Sequence, residues 1–392
     1  MEMTFERPIL KTLLERLNES RDKIQILSGA RQVGKTTLSL QALKELREPH
    51  IHVFAENGYT TNWIDQQWAV ARAKSKESSK GALLVIDEIQ KIENWSERVK
   101  RLWDEDTKEG VLLKVVLLGS SSLLLHRGLT ESMAGRFEVL YIPHWSFMEC
   151  KDAFDLSLDE YFYFGGYPGS LKYRYDEERF LSYIQDSIIE PVVTRDILSQ
   201  FIVHKPALLR QLFFLGCQYS GQILSYNKML GQMQDAGNTT TLAHYLKLLD
   251  QSGVLKGLDK FSSEKVRQRQ SSPKFQVYNN ALMTAVSRLG FKETMENPEL
   301  KGRLVESAVG VSLLMNPKSH VYYWRENNKE VDFVVQEKGK LIGIEVKSGK
   351  RPSTLYGMES FRKSFSPQGI LLVGEGGIPL ETFFTTPLSH FV

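Results

Sequence analysis

The chain has 392 residues, 42% apolar and 25% charged, and at about 150 residues per domain it divides into two or three domains. With 50 basic and 47 acidic residues the net charge is only +3, which excludes a global electrostatic drive toward nucleic acid or membrane and leaves any such binding to local patches. The two cysteines, Cys150 and Cys217, stand far apart in no metal-type spacing, which argues against a disulfide framework or a zinc site and fits a reducing compartment.

The opening stretch MEMTFERPIL is charged and has no apolar core. No later apolar run approaches the roughly 18 residues of a membrane span, so a soluble cytoplasmic protein without a membrane partner is expected. Up to about residue 145, short apolar strands alternate with amphipathic helices, the pattern of a parallel sheet covered by helices on both faces. Ile24–Leu27, Ile51–Phe54, Leu83–Ile86 and Lys114–Leu118 are four such strands.

The first strand runs into Gly29-Ala30-Arg31-Gln32-Val33-Gly34-Lys35-Thr36-Thr37, which fits the P-loop pattern in the required context, after a strand and opening a helix. Glycines let backbone N–H groups close around phosphates, the helix N-terminus adds a positive dipole, Lys35 reaches the β- and γ-oxygens, and the Thr36 hydroxyl ligates Mg²⁺. The pattern therefore points to ATP with Mg²⁺. The third strand ends in Asp87 and Glu88; Asp87 is expected to hold the Mg²⁺ through water and Glu88 to orient and deprotonate the attacking water. An apolar run ending in Asp-Glu is by itself commonly a strand meeting solvent, and the upstream P-loop decides between the two readings. The fourth strand ends in Gly119 and three serines, of which Ser120 is the choice for a γ-phosphate sensor, against a plain turn. Arg136 has two readings: charge stabilisation on the transferring phosphoryl group, in cis or from a neighbouring subunit, or a solvated surface salt bridge.

Together GARQVGKTT, LLVIDEIQK, LLGSSS, ESMAGR and the later GGYP make the chain resemble the AAA+ ATPases of bacteria and archaea that carry a C-terminal domain of unknown function with a PD-(D/E)XK, restriction-endonuclease-like core. The resemblance implies an α/β protein: an AAA+ parallel-sheet core over 1–145, a helical and winged-helix middle over 146–261, and a nuclease-like α/β domain over 275–392. The threonine that often precedes the Gly-Ser of the fourth strand is replaced by Leu118.

The middle is helical and rich in aromatics, and from about 208 to 261 it has the rhythm of a winged helix: a helix near Ser225–Gln234, a turn at Gly237-Asn238, a second helix and a strand at Val254–Leu258. The outward residues of the second helix, Thr240, His244 and Lys247, make a thin basic surface. More charge lies in 260–274, where Lys265, Arg267, Arg269 and Lys274 are expected to touch DNA phosphate. Docking of a protein partner is the other reading of this module.

In the C-terminal part Glu306 falls in a helix, Asp332 in a strand, and Glu345 and Lys347 on one face of the next strand, because side chains alternate along a strand. The arrangement resembles a PD-(D/E)XK site with Val331 in place of the proline: Glu306, Asp332 and Glu345 would hold a second divalent metal, with Lys347 beside it helping to activate water. The alternative is solvated cross-strand charges. The whole reads as an ATP-hydrolysing protein acting on DNA, nucleotide-dependent in its homo-oligomerisation, or as an ATP-dependent switch that docks protein partners without nuclease activity.

Overall fold

The computed structural model describes residues 5–120, 133–233, 237–262, 271–349 and 356–391. Two compact units result, Met1–Pro143 and His144–Val392. In the first, helix α1 (Ile9–Asn18) precedes strand β1 (Ile24–Gly29), followed by α2 (Lys35–Glu45), β2 (His50–Phe54), α3 (Thr61–Ser75), β3 (Ala82–Asp87), α4 (Trp95–Glu109), β4 (Leu113–Ser120) and β5 (Phe137–Tyr141). All five strands are parallel, in the order β2-β3-β4-β1-β5.

The near-continuous apolar runs of β3 and β4 follow from coverage on both faces. Leu83, Val85, Val116 and Leu118 pack with Leu13 of α1 and Leu38 of α2. Leu84, Ile86, Val115 and Leu117 pack on the other side with Trp68 of α3 and Trp103 of α4. Asp106 of α4 is fully buried and ties the second helical layer together by accepting hydrogen bonds from Trp68 Nε1 at 2.8 Å and Arg72 Nε at 2.5 Å.

The second unit begins with helices that carry two capping boxes, Ser146 with Glu149 and Ser157 with Glu160. Helices α5 (Pro206–Gln218), α6 (Tyr226–Gln232) and α7 (Thr239–Gln251) precede an antiparallel pair, β6 (Leu255–Leu258) and β7 (Lys274–Val277). On α7, Leu242, Tyr245, Leu246 and Leu249 are buried and Thr240, His244 and Lys247 are exposed. Helix α8 (Pro298–Leu314) then packs on a four-stranded sheet of β8 (His320–Glu326), β9 (Lys329–Glu337), β10 (Lys340–Lys347) and, after helix α9 (Tyr356–Phe365), β11 (Gly369–Gly374). The order is β11-β10-β9-β8, with β11 parallel to β10 and the other pairs antiparallel. Among the described residues no helix is long and apolar enough to cross a membrane.

The Gly-Gly-Tyr-Pro stretch serves packing. Asn279 Oδ1 accepts from the Gly166 and Ala281 backbone N–H groups, each at 3.2 Å, and its Nδ2 lies 3.2 Å from His144 Nδ1, so a buried polar knot joins the start of the helical region to the segment after β7. A Cβ on Gly166 would lie 2.3 Å from the Trp145 carbonyl oxygen, far inside contact distance. Gly231, on α6, has open space at the same position. Gly166→Ala is therefore expected to destabilise the second unit by about 2 kcal/mol, whereas Gly231→Ala stabilises it by up to about 1 kcal/mol through backbone entropy; urea unfolding of the full chain, read on the transition of this unit, measures both.

Candidate nucleotide site and C-terminal acidic cluster

In a parallel sheet every strand ends on the same edge, so the C-terminal ends of β1, β3 and β4 bring Gly29, Asp87 and Ser120 to one rim. The loop after β1 turns into α2 through Gln32 and Gly34, both left-handed, with φ of +58° and +94°. Gly34 adopts this conformation without the Cβ clash that other residues incur, and α2 starts at the next residue with its positive end at the rim. The nearly buried Lys35 directs its Nζ back onto the carbonyls of Gly29 and Ala30, at 2.8 and 2.7 Å. Thr36 Oγ1 donates to Asp87 Oδ2 at 2.5 Å. Because β4 lies between β1 and β3, this bond spans a whole strand of the sheet.

Glu88 follows in the left-handed region at φ +56°, sparsely populated for a glutamate. Its carboxylate accepts from Gln90 Nε2 at 2.8 Å and lies 3.9 Å from Lys91 Nζ, while its backbone N–H donates to Asp87 Oδ1 at 2.8 Å. Ser120 is the last residue of β4, in register with Gly29; its side chain, and the 121–132 stretch after it, lie outside the described residues.

Arg136 does not join this rim. It immediately precedes β5, its carbonyl accepts from Ile24 N at 2.8 Å, and Ile24 opens β1, so it stands at the opposite edge of the sheet, about 17 Å of strand from Gly29. Its guanidinium makes a fork to Asp104 at 2.7 and 3.1 Å and thereby holds that carboxyl below its ordinary range. Within its own chain Arg136 forms the surface salt bridge and does not reach the nucleotide site, which corrects the cis reading.

Two residues that sequence reasoning did not single out support the rim. The buried Arg7 donates to the carbonyls of Val33 and Pro143, both at 3.1 Å, and so holds the P-loop from behind; Gln90 orients Glu88. Arg7 lies in no recognisable pattern, and Gln90, although inside LLVIDEIQK, is identified only by what it touches.

In the second unit the inner strands β9 and β10 carry Asp332 and Glu345 side by side, and Asp332 Oδ2 accepts from Val346 N at 2.8 Å. Glu345 and Lys347 do share a face, with Nζ to Oε1 at 2.7 Å. Val331, at the proline's position, is fully buried in the core with Trp324 and Phe361. The centre of the cluster is Lys274, which is fully buried and places its ammonium 2.7 Å from Glu306, 3.5 Å from Glu330 and 3.5 Å from Asp332. That burial removes Lys274 from any phosphate contact, correcting its expected DNA role; Lys265, Arg267 and Arg269 lie outside the described residues.

Burial by itself would lower the Lys274 pKa, but the carboxylates of Glu306, Asp332 and Glu330 outweigh it and hold the ammonium above its ordinary value. Burial pushes Glu306 up to about 7 against the pull of Lys274, and burial with the neighbouring Asp332 charge pushes Glu345 up to about 7. A second metal site is not shown: among the described residues no group of three or more His, Cys, Asp or Glu is arranged to hold a metal ion, and the Lys274 ammonium lies among the expected ligands Glu306 and Asp332.

Residues 21–151 match the family model described as an AAA domain. The N-terminal unit is thus similar to AAA domains over those residues, with a P-loop ATPase-like parallel sheet. Residues 155–293 and 301–391 match two models described as domains of unknown function, DUF8612 and DUF4143. A protein of Mycobacterium tuberculosis, described only as uncharacterized, is 27% identical over 382 residues, covering 95% of this chain and 81% of its own. An uncharacterized protein of Methanocaldococcus jannaschii is 23% identical over 345 residues, covering 80% of this chain and 72% of its own. The solved Walker-type ATPase PABY2304 of Pyrococcus abyssi superposes with a TM-score of 0.51 at 15% identity, over 72% of this chain and 96% of that one, a likeness of fold. The AAA-type P-loop domain implies use of a nucleotide and Mg²⁺, and Lys35, Thr36 and Asp87 suit both: an ammonium for phosphate oxygens, and a hydroxyl beside a carboxylate for a hard cation.

The raised carboxyls give the second unit a distinctive pH response. The folded value of about 7 for Glu345 exceeds the roughly 4.3 of an unfolded glutamate, so the folded chain binds more protons between the two. Its contribution is complete below about pH 4 and is lost as the pH rises through about 7. Glu345→Gln is expected to flatten the fall in stability between about pH 5 and 8, and urea melts of parent and variant across that range check it.

Proposed function

We propose that the protein hydrolyses ATP at the rim of the first unit and uses the cycle to rearrange the second unit on DNA. The observation that carries the chemistry is the Thr36–Asp87 hydrogen bond, which joins the P-loop helix to the acidic strand end in the arrangement a nucleotide-bound cation requires. Mg²⁺, when bound with the nucleotide, supplies charge neutralisation of the phosphates. Lys35 exchanges its two carbonyl acceptors for phosphate oxygens, Thr36 and Asp87 hold the cation side, and the backbone of 29–37 wraps the phosphates. Glu88, aimed by Gln90, takes the proton of the attacking water, with the Ser120 hydroxyl as sensor of the terminal phosphate.

DNA contact is assigned to the exposed face of α7, Thr240, His244 and Lys247, with β6 and β7 as the wing of a winged helix; the three helices followed by an antiparallel strand pair support that reading. A protein-docking switch is the second reading, favoured by the thinness of this basic surface and by a C-terminal cluster in which Lys274 already engages Glu306, Glu330 and Asp332. Steady-state ATPase assays with and without duplex DNA separate the two. Stimulation by DNA that disappears at high salt supports the first, and indifference to DNA with stimulation by a protein supports the second.

Lys35→Ala is expected to abolish nucleotide binding, measured with a fluorescent ATP analogue. Glu88→Gln keeps binding and loses about 10²–10⁴-fold in kcat, because its role exists only in the transition state; hydrolysis at the parent rate would refute the assignment.

Arg136, at the far edge of its own sheet, acts on the nucleotide of a neighbouring copy in a homo-oligomer that forms with ATP. Mixing Arg136→Ala chains with Lys35→Ala chains is then expected to restore part of the ATPase activity that each lacks alone, since some interfaces contain one intact site. No recovery, together with a monomeric mass in ATP, would remove the trans role.

A further inference from the structure

The acidic cluster of the second unit is drawn from four elements. Lys274 comes from β7, Glu306 from α8, Glu330 and Asp332 from β9, and Glu345 with Lys347 from β10. The Lys274 ammonium is the cluster's hub: besides the three carboxylates it donates to the Asp332 backbone carbonyl at 3.2 Å, and only 1% of its side chain is exposed. At 2.7 to 3.5 Å from three carboxylates, the ammonium itself fills the space between them. A lysine buried this deeply is costly to desolvate and is retained only where opposite charges surround it.

We infer that Lys274 is a built-in counter-ion that takes the position of a divalent cation, so that the C-terminal sheet keeps its carboxylates together without metal. The cluster then contains two ammonium groups against four carboxylates, and the second lysine, Lys347, is held by Glu345 at 2.7 Å. Because Lys274 sits on the strand that pairs with β6, the same ammonium also fastens the strand pair next to α7 to the inner strand β9 of the mixed sheet. Two consequences follow: this unit takes up no Mg²⁺ or Mn²⁺ at the cluster, and it does not cleave phosphodiesters by metal-activated water. This inference is independent of the ATPase reading, and nucleotide-free chain tests it.

In the full chain without nucleotide, thermal unfolding of the second unit is expected to be unmoved by millimolar Mn²⁺. Lys274→Met lowers that unit's Tm, because three carboxylates lose their common partner, and Mn²⁺ restores part of the loss by binding only the folded state. Adding Asp332→Asn to Lys274→Met abolishes the restoration. Should Lys274→Met not fold, Lys274→Gln, which keeps a donor and removes the charge, is measured in its place. Stabilisation of the parent chain by Mn²⁺ that is lost on Asp332→Asn overturns the inference, as does a foldable Lys274 variant whose Tm Mn²⁺ leaves unchanged.

Discussion

The hydrogen bond from Thr36 to Asp87 depends on the sheet being parallel throughout, and most of the first unit is arranged to permit it. Parallel strands joined by helices all end on one edge, so a threonine at the start of α2 and an aspartate at the end of β3 meet across β4 although they lie far apart in the chain. Keeping both faces of that sheet dry requires two helical layers. α1 and α2 cover one face and α3 and α4 the other, which makes β3 apolar at every residue up to the rim and β4 at every residue but Lys114. At the rim the apolar run stops and the chemistry begins. Arg7 reaches the back of the P-loop from the segment before α1, so the same layer that buries the sheet also steadies the phosphate loop.

The second unit is organised around a different constraint, the satisfaction of buried polar groups. Asn279 gathers Gly166, Ala281 and His144, and Asn280 donates to the carbonyls of Phe162 and Leu304, so the helical region, the segment after β7 and α8 share one polar seam. Lys274 and its carboxylates are the charged counterpart of that seam. Each member is costly alone, and together they fix where β7, α8 and β9 meet, since displacing any one leaves a buried charge without its partner. This explains why strong charge sits in the middle of a sheet where the surrounding residues are apolar.

Much of the first unit was legible in the sequence because its signals are local. Apolar runs that end in Gly-Lys-Thr or Asp-Glu announce buried strands meeting a phosphate rim, and the four strands so read match the observed ones to within a few residues. β5 escaped because FEVLY is an edge strand, half exposed and interrupted by Glu138, and so lacks the apolar run of its neighbours. β11 escaped although GILLVG is apolar; it lies at an edge and its strand partner is β10, on the other side of α9. Glu345 and Lys347 were placed on one face by alternation alone, and the structure agrees.

By itself, the sequence determined the strand-and-helix alternation, the P-loop and the acidic strand end, because each is written in neighbouring residues whose spacing the backbone period dictates. Only the tertiary structure decided what Arg136 and Lys274 do. Arg136 follows a stretch rich in motif residues yet stands at the wrong end of its strand for its own nucleotide, a fact set by which strand pairs with which. Lys274 closes a basic segment that reads as a DNA-binding surface, yet its side chain turns inward to carboxylates from α8 and β9, more than thirty residues farther along the chain. Charge in a sequence carries a sign but no direction. Whether it faces solvent, phosphate or a buried partner is settled by packing, where the cost of desolvation is either met by opposite charge or forbids the position.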